Sequence, residues 1–201
     1  MVLKDPAGTL DDRYRRMLEE GEKSCARLAA LVSEISDLSG LEAGTAPFKR
    51  APLNVREVLA EAVAALPDVP DRTVTVLLEP AEGPAQAEGD APRLKTALTS
   101  VLFGLRREVV HSDRLVVRER IGTYHDKPAD WISIGDPDGI DSLSNAGPDA
   151  LATFDEWRGG CGLTLAVARR IIDGHGGAIW SPAGGTKAGA VVVIPLRPAA
   201  S

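Results

Sequence analysis

The chain has 201 residues, 44% of them hydrophobic but only 4% aromatic, so a folded core is expected and alanine, valine and leucine must fill most of it. Its formal charge of −6 argues against nucleic acid or an anionic membrane as the main partner, because both select basic surfaces. The two cysteines, Cys25 and Cys161, lack the paired spacing of a zinc site and read as free thiols. The longest apolar run, near AVVVI, is too short to cross a bilayer and no signal peptide is visible, which together predict a cytoplasmic location.

One long helix is predicted in the first forty or so residues. Tyr14, Gly21, Leu28 and Ile35 form one row, Met17, Leu31 and Leu38 a second, and Leu18, Cys25 and Val32 a third. The result is a stripe wide enough for a helical bundle. Such a helix needs a second copy of the chain or must fold back on its own domain, and a homodimer through this helix is the expectation taken forward. Gly40, Gly44 and Pro47 stop it, dividing the chain into a dimerisation helix over 1–46 and a domain over 47–201.

FKRAPLNV reads as an extended link, after which Asn54 caps the helix VREVLAEAVAAL. A PDVPD turn leads to RTVTVLLEP, which alternates like a half-buried strand, and AEGPAQAEG reads as a loop. Asp90 caps APRLKTALTSVLFGLRREVV, with Leu94, Leu98, Val101 and Leu105 on its buried face. DRLVVRERI and DWISIGD read as strands, and PDGIDSLSNAGPDALATFDEWRGG as a long, mostly irregular segment. A helix follows through Ile172, and GAIWSP and GAVVVIPL close the chain as a hairpin around AGGTKA. This order predicts an α+β fold, a two-layer sandwich of a mixed sheet with helices on one face.

The stretch GGCGLTLAV places three glycines directly before a helix start. Glycines let backbone approach a ligand closely, and free amides with the helix dipole favour an anion there. Tight helix packing alone would produce the same pattern.

Taken together, the motifs resemble the ATP-binding domain of sensor histidine kinases, a fold shared with gyrase and the mismatch-repair ATPases. RLAALVSEISDLSGLEAG is similar to the second helix of that family's dimerisation hairpin, GDAPRLKTALTSVLFGL to its N-box helix, ISIGDPDGI to its first glycine box, TFDEW to its phenylalanine box, and GGCGLTLAVARRIIDGHGGAIW to its second glycine box with the following strand. The resemblance implies ATP as ligand, with Ser100, Asp136, Gly139, Gly160, Gly162 and Leu163 in the binding positions.

The departures bear on activity. Where the family's N-box helix presents asparagines toward the phosphates, one of them on magnesium, this chain has Thr96, Ser100 and Gly104, with Arg107 a turn further. Magnesium demands oxygen ligands in near-octahedral array, and phosphoryl transfer relies on the metal, so the implied magnesium site is in doubt. Asp136 stands where the family's aspartate accepts a hydrogen bond from adenine, although it can equally end a strand and begin a turn. DPDGI is one residue short of the usual box, and Asp138 places an anion near the phosphates. The lid is reduced to Arg158 and Gly159, and Thr164 replaces a glycine. Arg158 can pair with a phosphate or stay at the surface.

The phosphoacceptor context is missing too. His175 matches a structural histidine of the family, and His111 and His125 fall in connecting segments. The resemblance therefore implies a two-component regulatory pseudokinase with weak or lost autokinase activity. One alternative is an active kinase core that phosphorylates a histidine outside this chain; another is a histidine phosphotransfer or scaffold protein of a phosphorelay. A response-regulator receiver domain is the implied partner. MVLKDPAGTLDDRYRRM looks like the turn between hairpin helices, which favours a longer sensor with its histidine upstream over a natural short version.

Overall fold

The computed structural model describes residues 12–45, 47–67, 74–83, 85–109, 111–184 and 188–198. Most of the predicted inter-helix turn at the start, part of the PDVPD turn, the middle of AGGTKA and the Leu31 side chain lie outside the described residues.

The first helix, α1 (Asp12–Glu42), is followed by strand β1 (Ala51–Asn54) and helix α2 (Val55–Ala64). Asn54 caps α2 as its sequence predicts, its side chain accepting from the Arg56 and Glu57 amides. Then come β2 (Thr75–Leu78), β3 (Gln86–Gly89), α3 (Ala91–Glu108), β4 (Arg114–Tyr124) and β5 (Lys127–Gly135). The segment expected to be irregular holds a short helix α4 (Ile140–Ser144) and strand β6 (Leu151–Thr153); α5 (Thr164–Gly174), β7 (Ala178–Pro182) and β8 (Gly189–Pro195) complete the chain.

Six strands form one mixed sheet in the order β2-β4-β5-β8-β7-β6, in which β2 and β4 run parallel and the other neighbours antiparallel. The expected link and loop pair with each other instead: β1 and β3 make a separate antiparallel ribbon. Side chains from α2, α3 and α5 interlock with one face of the sheet. Leu59, Leu94, Leu98, Leu102, Ile132, Leu165, Ile172 and Val192 at its centre are each 1% exposed or less. Burying a side chain of that size contributes about 1.5–3 kcal/mol, so this layer is what holds the fold.

The predicted sandwich is thus present, with one addition. Helix α4 lies on the opposite face, where Leu143 packs with Ala129, Trp131, Val191 and Val193. Trp131 and Trp180 stack there at 5.9 Å, and Tyr124 meets both rings edge-on.

The end of α1 is tied to this body. Leu38 and Leu41 pack against the core, and Glu42 accepts from Arg170 of α5 at 3.0 Å. Further up the same helix Tyr14, Met17, Leu28, Val32 and Ile35 are more than half exposed.

Candidate functional site

Backbone geometry explains the glycine cluster first. Gly160 and Gly162 both take φ +61, a left-handed conformation that strains any side chain, so the chain turns sharply twice before entering α5. Leu163 takes the N-cap position of α5 without a side-chain cap, and its carbonyl accepts from Val167 at 3.0 Å. Thr164 does not merely crowd this turn. Its hydroxyl and amide both donate to the Cys161 carbonyl, closing the loop on itself.

Across from the glycines lies α3. The Ser100 hydroxyl donates to the Thr96 carbonyl at 2.9 Å, and the Thr96 hydroxyl to the Pro92 carbonyl at 3.0 Å, so both turn back onto their own helix. One turn on, a β-carbon added to Gly104 would lie 3.3 Å from Cys161 Sγ and 3.3 Å from a Leu165 methyl. The glycine is therefore a packing residue: it lets α5 and the glycine loop close onto α3. Arg107 is exposed and stacks on the Phe103 ring at 5.7 Å, with a guanidinium nitrogen 3.9 Å from where a Gly160 β-carbon would stand.

Arg158 has the most contacts of this group. Its Nε donates to both carboxylate oxygens of Glu108, at 2.9 and 2.8 Å, and Nη2 pairs with the same carboxylate. Nη1 donates to the Ser181 hydroxyl at 3.2 Å and to the Gly189 carbonyl at 2.8 Å. With its side chain 11% exposed, Arg158 joins the end of α3 to the strands β7 and β8. Neither of its sequence-level alternatives, a phosphate partner or a solvated surface group, describes this arrangement. Glu108 went unmarked in the sequence. A signal was nevertheless present, since a carboxylate in the last turn of a helix faces the negative end of the dipole and calls for a cation.

Asp136 and Gly139 sit apart from that cluster. The Asp136 carbonyl accepts from the Gly139 and Ile140 amides at 3.1 and 3.0 Å, which is the turn into α4. Asp136 Oδ1 is buried and has no hydrogen-bond partner among the described residues. Both residues line a cavity of about 280 Å³ with Ser142, Leu143, Pro182 and Ala188, on the α4 side of the sheet. Ser100, Gly160, Gly162 and Leu163 are not among its lining residues. The predicted binding residues thus fall into two groups, Asp136 with Gly139 and the α3–α5 group.

His175 has the structural role its sequence context implies. Its Nε2 accepts from the Asp90 amide at 2.9 Å, and Nδ1 lies 2.7 Å from the Ile171 carbonyl, joining the start of α3 to the end of α5. Burial holds its pKa below the ordinary histidine value, despite the carbonyl bond that favours the charged form. His111 and His125 are exposed, as expected.

The fit to a nucleotide is partial and the fit to magnesium is poor. An orphaned carboxylate oxygen at Asp136 suits an amino donor, and the glycine loop has anion-friendly backbone. The α3 face offers Thr96, Ser100, Gly104 and Arg107, a set with no carboxylate or amide oxygen for a hard cation, and its hydroxyls donate to their own helix.

No family model matches the chain. It is 28% identical over 167 residues to the sensor histidine kinase GacS of Pseudomonas protegens, and 26% identical over 167 residues to the sensor protein GacS of Pseudomonas syringae pv. syringae. Each match covers 79% of this chain, which spans only 18% of either relative. Among solved structures, the Acinetobacter baumannii histidine kinase AdeS superposes with a TM-score of 0.62 at 21% identity, over 96% of this chain and 89% of that one. The full-length ShkA in complex with AMPPNP gives 0.66 at 20% identity, over 96% of this chain and 41% of that one. The chain therefore has the fold of the C-terminal, ATPase-type part of histidine kinases, and its sequence resembles theirs.

Proposed function

We propose that the chain is a histidine-kinase-like module of two-component signalling that acts as a regulatory pseudokinase, its autokinase activity weak or lost. One observation carries this reading: the space beside Gly104, where α3 faces the start of α5, is filled by the chain's own groups. Cys161 and Leu165 fill the space at Gly104, and Arg158 is neutralised by Glu108 rather than left to meet a phosphate. Phosphoryl transfer depends on positioned phosphates and on metal charge, and this arrangement favours neither.

The exposed stripe of α1 supports homodimerisation as part of the same role, since Leu28 and Ile35 of one row and Val32 of the next form a contiguous exposed apolar face that a second copy would cover. A receiver domain is the partner that the likeness to two-component kinases suggests.

A second reading, an active core acting on a histidine outside this chain, draws on Gly160, Gly162 and Arg107, which keep a cradle for an anion beside α5. A third, a phosphotransfer or scaffold protein, draws on the fold alone. Incubating the chain with γ-labelled ATP and magnesium, alone and with a supplied histidine-bearing hairpin, separates the first reading from the second. The pseudokinase reading predicts no transferred label in either reaction. Label on the hairpin would overturn it in favour of an active core.

A further inference from the structure

On the helix-covered face of the sheet, away from the glycine loop, β4 and β5 bring two carboxylates together. Glu119 stands opposite Ile132 and Asp130 opposite Ile121, and strand alternation puts both side chains on the face of Val117, Ile132 and Ile134. Asp130 is 0% exposed and the Glu119 side chain 1%.

Donors fall short there. Arg56, at the start of α2, donates from Nε to Glu119 Oε2 at 3.1 Å, while its Nη2 turns to the Glu82 carbonyl at 3.5 Å. Glu119 Oε1 and both oxygens of Asp130 have no partner among the described residues. The strand on the other side, β8, presents Ile194 opposite Asp130, and the charged groups acting on Asp130 are Glu119 and Arg56. With both acids ionised, a dry site would hold a net negative charge and three oxygens lacking a donor. One proton removes the net charge of the trio and supplies an O–H donor between the carboxyls, which pairs two of the three oxygens.

We propose that Glu119 and Asp130 share one proton at neutral pH, and that losing it in mildly alkaline solution loosens the seam between α2 and the β4–β5 pair. Burial first, and then the charge of Glu119, push the Asp130 carboxyl up to about 8 against the pull of Arg56. The folded chain therefore holds a proton that the unfolded chain releases near pH 4. This contribution is complete below about pH 4 and is lost between about 4 and 8, where the folded-to-unfolded ratio falls about tenfold per pH unit. Above that window it levels off.

The test compares the full chain with Asp130→Asn, whose amide can donate to Glu119 in place of the proton. At about pH 7, infrared spectroscopy should find a protonated-carboxyl C=O band in the wild type that the variant lacks. Urea midpoints taken from about pH 6 to 9 should fall more steeply in the wild type than in the variant. Glu119→Gln, with an amide on the other side of the pair, should flatten the slope in the same way and serves if the first variant fails to fold. Parallel pH profiles with no carboxyl band would overturn the proposal. So would alkaline stability restored by added sodium or calcium, because a cation would then hold the pair.

Discussion

At Arg158 a side chain that could serve a ligand serves the fold instead, and its energetics can be tested directly. Replacing it with alanine leaves Glu108, 20% exposed at the end of α3, without its cation. Breaking a largely buried pair on one side costs about 3–5 kcal/mol, and the remaining water access at Glu108 brings the expected loss to about 2–3 kcal/mol. Arg158→Ala and Glu108→Gln in urea denaturation should be clearly non-additive, because they remove the same interaction. His175 gives the second prediction at this scale. Its pKa is lowered, so the folded chain resists the proton, and stability that is complete above about pH 6.5 declines as pH falls below it. His175→Gln should weaken this acid-side decline, read as urea midpoints between about pH 5 and 7. Asp90 adds to the same seam: burial acts to raise its pKa, but the Lys49 and Arg93 amides that its carboxylate accepts from prevail and lower it.

Between elements, the decisive contact is the one holding the link after α1 to the body. Phe48 meets the His175 ring edge-on at 5.0 Å, with the Arg93 guanidinium 5.0 Å from its centre. A β-carbon on Gly174 would overlap the Phe48 ring, although Gly174 has no need of a positive φ. Gly174→Ala should therefore cost about 1–3 kcal/mol by overpacking, and Gly174→Ala with Phe48→Leu should recover part of it. Thermal unfolding of the pair of variants checks this.

The elements also show what the sequence conceals. Helices α2 and α3 were legible because Asn54 and Asp90 mark their starts and Leu94, Leu98, Val101 and Leu105 repeat at helical spacing. Strands β1, β3 and β6 were not, since each has only three or four residues and pairs through backbone rather than through an apolar pattern. Helix α4 was equally hidden, because five residues cannot display a helical period, and its seat on the second face depends on the distant Trp131 and Val193. At the site, the left-handed Gly160 and Gly162 follow from glycine's own freedom, whereas Gly104 against Cys161 and Arg158 against Glu108 arise only when α3 and α5 meet.

Across the whole molecule, α1 is docked at one end and bare along most of its length. Leu38 and Leu41 face the core, while Leu28 at 62% and Ile35 at 53% exposure face outward. If that outward stripe joins two copies, Leu28→Glu with Ile35→Glu should yield monomers by light scattering with the α+β body still folded. A dimer that survived both substitutions would place the interface elsewhere.

The central claim concerns the filled space beside Gly104 and the poor metal ligands of α3, and calorimetric titration of the chain with ATP, with and without magnesium, tests it most directly. The account predicts no binding that magnesium strengthens, even at millimolar nucleotide, because Gly104 and Ser100 give the metal no adequate oxygen ligand. Saturable binding that tightens when magnesium is added would contradict it and make Gly160, Gly162 and Arg107 parts of a working phosphate site.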